Sequence, residues 1–207
     1  MYLAQLITTP EIIEYLIKKD NVFKMLFEKY GYAKYVKKSN IYETIVSNII
    51  GQQLSNKVKQ VIYNRFINLV KIVTPEIILE TDSEDIRSCG ISYSKIKYIK
   101  ELSENILQNK INFQDLEHFS DDELIKFFCK IKGVGTWTAE MLSLFALGRE
   151  NIISYDDVAI RNGIIKAKNY KTLSKQRFQQ LKNKYAPYCS YASLYFYAHN
   201  DNELRWK

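Results

Sequence analysis

Residues 131–140, with the sequence IKGVGTWTAE, combine residue types that could hold an anion. Gly133 and Gly135 lie between two amphipathic segments, and glycine adopts backbone angles that other residues avoid. Main-chain N–H groups over Thr136–Thr138 would then point toward a shared anion at a helix N-terminus. The pattern predicts a hairpin that binds a phosphodiester, and Lys132 adds a positive charge beside it. An ordinary glycine turn between two helices is the alternative interpretation.

A pair of carboxylates, Asp156 and Asp157, follows this segment and precedes another helical pattern. A fixed carboxylate can stabilise a developing positive charge, or it can orient and deprotonate a water molecule. Aspartate is also common at helix starts, where it accepts hydrogen bonds from free main-chain N–H groups. We interpret Asp156 as the helix cap, whereas Asp157 could serve either role. Arg161, one turn later, could pair with Asp157 or contact a nucleic acid.

The composition favours an anionic partner and argues against a metal cluster. The 30 lysines and arginines outnumber the 23 acidic residues, which gives a net charge of +7 and a pI near 9.1. The three cysteines and two histidines form no C-x-x-C or Cys/His ligand spacing, so we expect neither a zinc site nor an iron–sulfur cluster. An odd number of scattered thiols is typical of a reducing compartment.

The chain has 207 residues, of which 46% are hydrophobic, and this is sufficient for one large or two small packed domains. The first residues lack the basic and apolar regions of a signal peptide. No apolar run approaches the ~18 residues that a membrane span requires. We therefore expect an intracellular protein of the cytoplasm and nucleoid, or of a nucleus, with no membrane association. We also predict a monomer.

Helical patterns recur along the chain, whereas strand patterns are sparse. Thr-Pro-Glu sequences at Thr9 and Thr74 each combine a capping hydroxyl with proline at the first helical position. Ser120 and Glu123 have the spacing of a capping box before the first hairpin helix, and Thr136–Leu147 is predicted to form the second. Further helices are predicted over residues 41–50, 54–70, 94–108, 157–168, 174–185 and 190–199.

These patterns predict an all-α protein of about ten helices. We expect two packed helical subdomains with a helix-hairpin-helix motif and a cleft between the subdomains. The approximate subdomains are residues 40–145, which contain the hairpin, and residues 1–39 together with 146–207. Residues 1–207 are predicted to form a single functional unit.

Residues 129–161 resemble the helix-hairpin-helix and the glycine/proline-rich loop with aspartate that define the HhH-GPD superfamily of DNA glycosylases. The alkylbase branch, 3-methyladenine DNA glycosylase II, is the most similar. Residues 133–139 match its G-x-G-x-W-T-A element, and the aspartate pair that ends at Asp157 matches its D-D element. Residues 47–55, SNIIGQQLS, and 186–195, APYCSYASLY, resemble two further elements of that branch. The resemblance covers about residues 40–200.

The chain departs from this branch at three places. Cys189 stands where the branch usually has arginine, and Lys132 stands where it usually has proline. Ser154 and Tyr155 occupy the loop position of another proline. We expect no additional N-terminal β-domain of the kind that some members carry.

The resemblance implies an enzyme of base excision repair that acts on damaged double-stranded DNA. It would extrude an alkylated purine, 3-methyladenine or 7-methylguanine, and hydrolyse the N-glycosidic bond to leave an abasic site. Lyase-active members have a nucleophilic lysine two residues after the second hairpin glycine, where this chain has Trp137. An indole cannot form a Schiff base, so we predict a monofunctional hydrolase.

The resemblance also implies roles for individual residues. Asp157 is the expected catalytic residue. Gln53, beside Leu54, is the expected wedge that fills the gap left by the extruded base. The expected base pocket, in which a cationic base would stack on aromatic rings, comprises Trp137, Tyr197 and Tyr155. The residues expected to contact DNA are Gly133, Gly135, Thr136, Thr138, Gln53 and Lys132.

No cofactor is expected to be required for catalysis. The backbone carbonyls of Cys129, Ile131 and Val134 match positions at which the superfamily holds a structural Na⁺ or K⁺ ion. Two other functions stay open: a glycosylase for hypoxanthine, uracil or an oxidised purine, and a non-catalytic DNA-binding module in which Asp157 is only a cap. Locally, Trp137 could instead be a core residue, and the wedge glutamine could instead cap a helix.

Overall fold

The computed structural model describes residues 2–203, except for the side chains of Ser39 and Asn56. Within this range the chain forms twelve α-helices, a short 3₁₀ turn at Leu116–His118 and one two-stranded sheet. The all-α class is confirmed. The strands are β1 Tyr2–Ile7 and β2 Lys34–Ser39. The helices are α1 Pro10–Lys19, α2 Val22–Tyr30, α3 Ile41–Gly51, α4 Asn56–Val70, α5 Pro75–Glu80, α6 Ser83–Ser88, α7 Tyr93–Leu107, α8 Asp121–Cys129, α9 Thr136–Phe145, α10 Val158–Ala167, α11 Lys175–Tyr185 and α12 Cys189–Asp201. No helix in the described range is both long and apolar enough to cross a bilayer.

The capping residues explain where several of these helices begin. Thr9 and Thr74 accept main-chain hydrogen bonds at the starts of α1 and α5, each with proline at the first helical position. At the start of α8, Ser120 N–H donates to the Glu123 carboxylate at 2.8 Å, and Glu123 N–H donates to the Ser120 hydroxyl at 3.3 Å. This reciprocal capping box fixes the beginning of the first hairpin helix.

The described chain divides into two compact units. The middle unit comprises residues 39–142, and the terminal unit comprises residues 2–38 and 143–203. The boundary between Leu142 and Ser143 lies inside α9, so the hairpin and the start of this helix belong to the middle unit.

In the middle unit, α7 packs against α3, α5 and α6. Ile45 and Ile49 of α3 and Ile99 of α7 are at most 1% exposed, and they form part of the apolar core. The Tyr42 hydroxyl and the Ser103 hydroxyl lie 2.6 Å apart inside this core, and their hydrogen bond joins α3 to α7. Helix α7 therefore provides a fixed support for the segments that follow α3 and α8.

In the terminal unit, α12 is buried over most of its length and packs against α10. The two backbones approach closely at Gly163, where a Cβ atom would lie 2.0 Å from the Phe196 carbonyl oxygen. Only glycine permits this contact, since any larger residue would force the helices apart. The position of α10 along α12 is thereby fixed at Gly163.

Candidate active site and DNA-binding surface

The hairpin between α8 and α9 contains its two glycines for different reasons. Gly133 has φ +84°, and a Cβ atom there would lie 2.7 Å from Cδ2 of Tyr98. Both the conformation and the lack of space therefore require glycine at this position. A Cβ atom at Gly135 would meet no heavy atom within 4 Å, and this glycine is exposed. The fold does not require glycine at 135, and the open space suits the close approach of a ligand.

The first turn of α9 presents polar and aromatic groups at the surface. Thr136 is exposed, and Trp137 is 44% exposed. Trp137 is therefore not a core residue, and that interpretation of it was wrong. Thr138 is only 6% exposed, so its side chain is not part of the binding surface. The expected contact from Thr138 is restricted to its main-chain N–H.

Lys132 lies at the surface of the hairpin and forms an ion pair. Its Nζ lies 2.7 Å from Oε1 of Glu101, and the two side chains are 62% and 28% exposed. An exposed ion pair contributes about 0–1 kcal/mol, so a phosphate oxygen can replace Glu101 at little cost.

The turn after α3 carries Gln53. Gln52 has φ −56° and ψ 137°, Gln53 has φ +59°, and Leu54 N–H donates to the Gly51 carbonyl at 3.2 Å. These angles define a type II β-turn, whose third residue is usually glycine or asparagine. Gln53 is exposed, and the C-terminal cap position of α3 is occupied by Gln52. The helix-capping interpretation therefore applies to Gln52 rather than to Gln53.

Asp157 lies at the start of α10 in the terminal unit and is 7% exposed. Its Oδ1 accepts a hydrogen bond from Ile160 N–H at 3.0 Å, and its Oδ2 accepts one from the Tyr197 hydroxyl at 2.7 Å. Buried carboxylates require such partners, because water no longer solvates the charge. The carboxylate is consequently fixed in both position and orientation.

The assignment of the helix cap to Asp156 was wrong. Asp157 is the N-cap residue of α10, and Asp156 is exposed. The error arose because either aspartate could satisfy the N–H groups at the helix start, and sequence spacing does not distinguish them. Asp157 thus combines the capping role with a buried side chain.

Tyr155 and Arg161 contact one another. Arg161 Nη1 donates to the Tyr155 carbonyl at 2.7 Å, and its guanidinium lies 5.1 Å from the centre of the Tyr155 ring. Nζ of Lys175 lies 5.6 Å from the same ring, and the Tyr155 hydroxyl donates to the Leu173 carbonyl at 3.2 Å. Two side-chain cations therefore already form cation–π contacts with the ring of Tyr155, so this ring is a poor stacking surface for a cationic base.

Three residues with a part in this arrangement were not selected from the sequence: Gln52, Lys95 and Tyr98. Lys95 Nζ donates to the carbonyls of Ile50 and Gln52, both at 2.8 Å. Burial lowers the pKa of Lys95 from its usual value. Lys95 and Tyr98 are three residues apart on α7, so a shared helix face was the available signal. Their partners lie far away in sequence, and that signal alone does not identify them.

Comparisons with known proteins identify the family of the chain. A family model described as "HhH-GPD superfamily base excision DNA repair protein" matches residues 46–187. DNA-3-methyladenine glycosylase 1 of Schizosaccharomyces pombe is 37% identical over 132 residues, which are 62% of this chain and 58% of that protein. Alkylbase DNA glycosidase-like protein mag2 of the same yeast is 34% identical over 165 residues, 75% of this chain and 76% of that protein.

Two solved structures are similar over nearly the whole chain. DNA-3-methyladenine glycosidase of Bacillus halodurans has a TM-score of 0.84 at 30% identity, with coverage of 96% of this chain and 93% of that one. The S. pombe 3-methyladenine DNA glycosylase Mag1, solved in complex with abasic DNA, has a TM-score of 0.78 at 30% identity. Coverage in that case is 91% of this chain and 95% of the other. The family model alone spans well over half of the sequence, and the chain belongs to the HhH-GPD superfamily of base excision DNA repair proteins.

Proposed function

We propose that this protein is a monofunctional DNA glycosylase that removes alkylated purines, chiefly 3-methyladenine, from damaged double-stranded DNA. The observation that carries the proposal is the Asp157 carboxylate, which is buried and held by hydrogen bonds to both oxygens. It occupies the aspartate position of the superfamily motif. The names of the relatives and their structural similarity support the same activity.

The chemical role of Asp157 follows from the charge that forms during the reaction. Cleavage of an N-glycosidic bond leaves positive charge on the sugar, in an oxocarbenium-like transition state. A carboxylate that is already oriented stabilises this charge without further reorganisation. Since an alkylated purine is a good leaving group, the reaction needs no strong general acid. The low histidine content of the chain is consistent with such chemistry.

Recognition of the base is assigned to Trp137 and Tyr197. The indole of Trp137 is exposed, and an aromatic face attracts a cationic ring by about 0.5–2 kcal/mol. A methylated purine that carries positive charge therefore gains more than a neutral base. Tyr197 contributes its ring and also contacts Asp157 through its hydroxyl. Tyr155 is left out of the pocket, because Arg161 and Lys175 lie over its ring.

The hairpin is assigned to the DNA backbone. The main-chain N–H groups at the start of α9, next to the open position at Gly135, offer an anion site for a phosphate. Lys132 provides an exposed positive charge, which can replace its ion pair with Glu101 by an ion pair with a phosphate. Gln53 provides the wedge.

A monovalent cation at the hairpin forms part of the proposal. Cys129 is the last residue of α8, where helix carbonyls lack partners within the helix. The Ile131 carbonyl accepts the Val134 N–H at 3.0 Å, which leaves its second lone pair available. These carbonyls, together with that of Val134, are the groups to which we assign a structural Na⁺ or K⁺ ion. Such an ion would offset the negative carbonyl dipoles beside a bound phosphate.

The direct test is incubation of the protein with methylated duplex DNA and identification of the released bases. We expect 3-methyladenine to be released and the product strand to retain an uncleaved abasic site. Sodium borohydride should trap no covalent protein–DNA adduct, because Trp137 carries no amine that could form a Schiff base. Release of hypoxanthine, uracil or an oxidised purine without 3-methyladenine would redirect the proposal to another lesion. Release of no base would identify a non-catalytic DNA-binding module.

A further inference from the structure

Several polar contacts converge on the turn that carries Gln53. Lys95 Nζ donates to the carbonyls of Ile50 and Gln52, both at 2.8 Å. These carbonyls lie at the C-terminal end of α3, where the helix dipole favours a cation. Nε2 of Gln52 donates to the Gly133 carbonyl at 2.6 Å. The turn is therefore attached both to α7 and to the hairpin.

The same face of α7 also supports the hairpin. Lys95, Tyr98 and Glu101 follow one another at intervals of three residues and so lie on one side of the helix. The ring of Tyr98 packs against the backbone of Gly133, and Glu101 forms an ion pair with Lys132. One helix face thereby fixes the two segments to which we assign DNA contacts.

The backbone of Gln53 requires such support. A residue with a Cβ atom is disfavoured at φ +59°, and it remains there only where the surrounding structure determines the conformation. The side chain of Gln53 is exposed and packs into no core. The contacts made by Lys95 and Gln52 on the preceding residues supply the restraint.

We infer that Lys95 and Gln52 are positioning residues for base extrusion. They hold the turn so that Gln53 enters the DNA as a pre-ordered wedge rather than as a mobile side chain, which lowers the entropic cost of unstacking the base. The inference rests on the proposed glycosylase function, in which Gln53 is the wedge. Neither residue is assigned a contact with the reacting atoms.

The test compares base release from a paired and from a bulged lesion. An oligonucleotide with a single adenine is methylated as a duplex, and the damaged strand is then annealed to one of two complements. One complement is complete, and the other lacks the nucleotide opposite the lesion. A base without a partner unstacks at lower cost, so its release depends less on the wedge. Release is measured in single turnovers, and 2-aminopurine next to the lesion reports unstacking directly.

Two variants remove the restraint. Lys95→Met replaces the ammonium by an unbranched apolar side chain, and Gln52→Ala removes the carboxamide. We expect each to lower release from the paired lesion about tenfold, the effect of a lost hydrogen bond to a fixed group. Release from the bulged lesion should change less than about twofold. Lys97→Met on the exposed side of α7 and Gln60→Ala on the surface of α4 are the matched controls, and both should behave as wild type.

A double-mutant cycle separates positioning from general loss of structure. Gln53→Ala removes the wedge itself, and Gln52→Ala should then add little in that background, because its effect passes through Gln53. Fully additive losses would show that Gln52 acts independently of the wedge. That result would overturn the inference.

The remaining outcomes are equally decisive. An equal loss of base release from paired and bulged lesions would indicate a structural defect. Wild-type rates of release by both variants would show that the restraint is unnecessary. Either result rejects the inference. If the wild-type protein releases no base, the proposed function fails instead. In that case the 2-aminopurine signal still tests the role of Lys95 and Gln52. If both variants unstack the base as well as the wild-type protein does, this role is rejected.

Discussion

At the scale of single residues, the carboxylate of Asp157 has a structural and a chemical role. It caps α10 through Oδ1 and accepts the Tyr197 hydroxyl through Oδ2. The cap anchors the side chain to a helix end, where the dipole favours a negative charge. The second hydrogen bond fixes the rotation of the carboxylate. The structural role and the proposed catalytic role therefore reinforce one another.

The contribution of the Tyr197 hydroxyl can be measured with Tyr197→Phe. This variant keeps the ring and its packing beside Phe145 but removes the group that donates to Asp157 at 2.7 Å. We expect a rate of base release about tenfold lower, because a buried carboxylate with one partner fewer is less well oriented. The affinity for DNA should stay unchanged, since the hairpin is untouched. An unchanged release rate would show that the hydroxyl plays no part in positioning Asp157.

Sequence information identified Asp157 and Tyr197 separately, through the family resemblance, but it did not reveal the bond between them. The two residues are 40 positions apart, on different helices. The same limit applies to Lys95, whose carbonyl partners lie 43 and 45 positions away. Contacts of this kind depend on how the helices pack, so they cannot be predicted from the spacing of neighbouring residues.

Among the structural elements, the hairpin contains one glycine that folding requires and one that we assign to DNA binding. Gly133 is fixed by its positive φ and by the ring of Tyr98. Gly135 has open space around it. Two glycines of the same motif are thus expected to respond differently to the same substitution.

Gly133→Ala should destabilise the protein by about 1–3 kcal/mol, because alanine is strained at this φ and its Cβ would contact Tyr98. Gly135→Ala should cost only about 0.5 kcal/mol at the start of α9. It should nevertheless weaken DNA binding, since the added methyl group occupies the space left for a phosphate. Urea unfolding and DNA titration of both variants provide the comparison. If Gly135→Ala bound DNA with wild-type affinity, Gly135 would not belong to the DNA-binding surface.

Most of the helices were predictable because their ends carry recognisable caps. Prolines at the first positions of α1 and α5 and the capping box of α8 are local signals, and all three are present in the structure. Helices α2 and α6 were missed. Asn21 before α2 forms no side-chain capping bond. Helix α6 has a capping aspartate, Asp82, but it is short and lacks the proline that marks the start of the equally short α5. The sheet was missed because β1 and β2 pair over a long sequence separation, which a local pattern does not record.

At the scale of the whole molecule, the terminal unit depends on a buried ionic centre. Oδ2 of Asp20 accepts hydrogen bonds from Lys168 Nζ at 2.7 Å and from the Tyr185 hydroxyl at 2.8 Å, and Lys184 Nζ lies 3.3 Å away. These contacts connect the end of α1 to α11 and to the end of α10. Burial opposes the charge of Asp20, but the hydrogen bonds from Lys168 and Tyr185 outweigh it and lower the pKa of this carboxyl.

The lowered pKa determines how stability depends on pH. Asp20 contributes stability at any pH above about 3.9, the ordinary value for aspartate, and this contribution is lost as the pH falls through the lower value of the folded state. Asp20→Asn should reduce the free energy of unfolding by about 2 kcal/mol at neutral pH. The difference from wild type should shrink in acid. Urea unfolding at pH values on both sides of this range tests the expectation, with Glu14→Gln on the exposed side of α1 as the control. A difference that is independent of pH would contradict it.

The rate of 3-methyladenine release by Asp157→Asn measures the contribution of the buried carboxylate to catalysis. Asparagine is an equally good helix cap, so this variant keeps the start of α10. It removes the charge and replaces Oδ2, the acceptor of the Tyr197 hydroxyl, by an amide group. We predict a rate at least about 10²-fold to 10³-fold lower than wild type, with DNA affinity unchanged or higher. Asp156→Asn, at the exposed neighbouring position, should retain the wild-type rate. Near wild-type release by Asp157→Asn would show that the buried carboxylate does not stabilise the transition state.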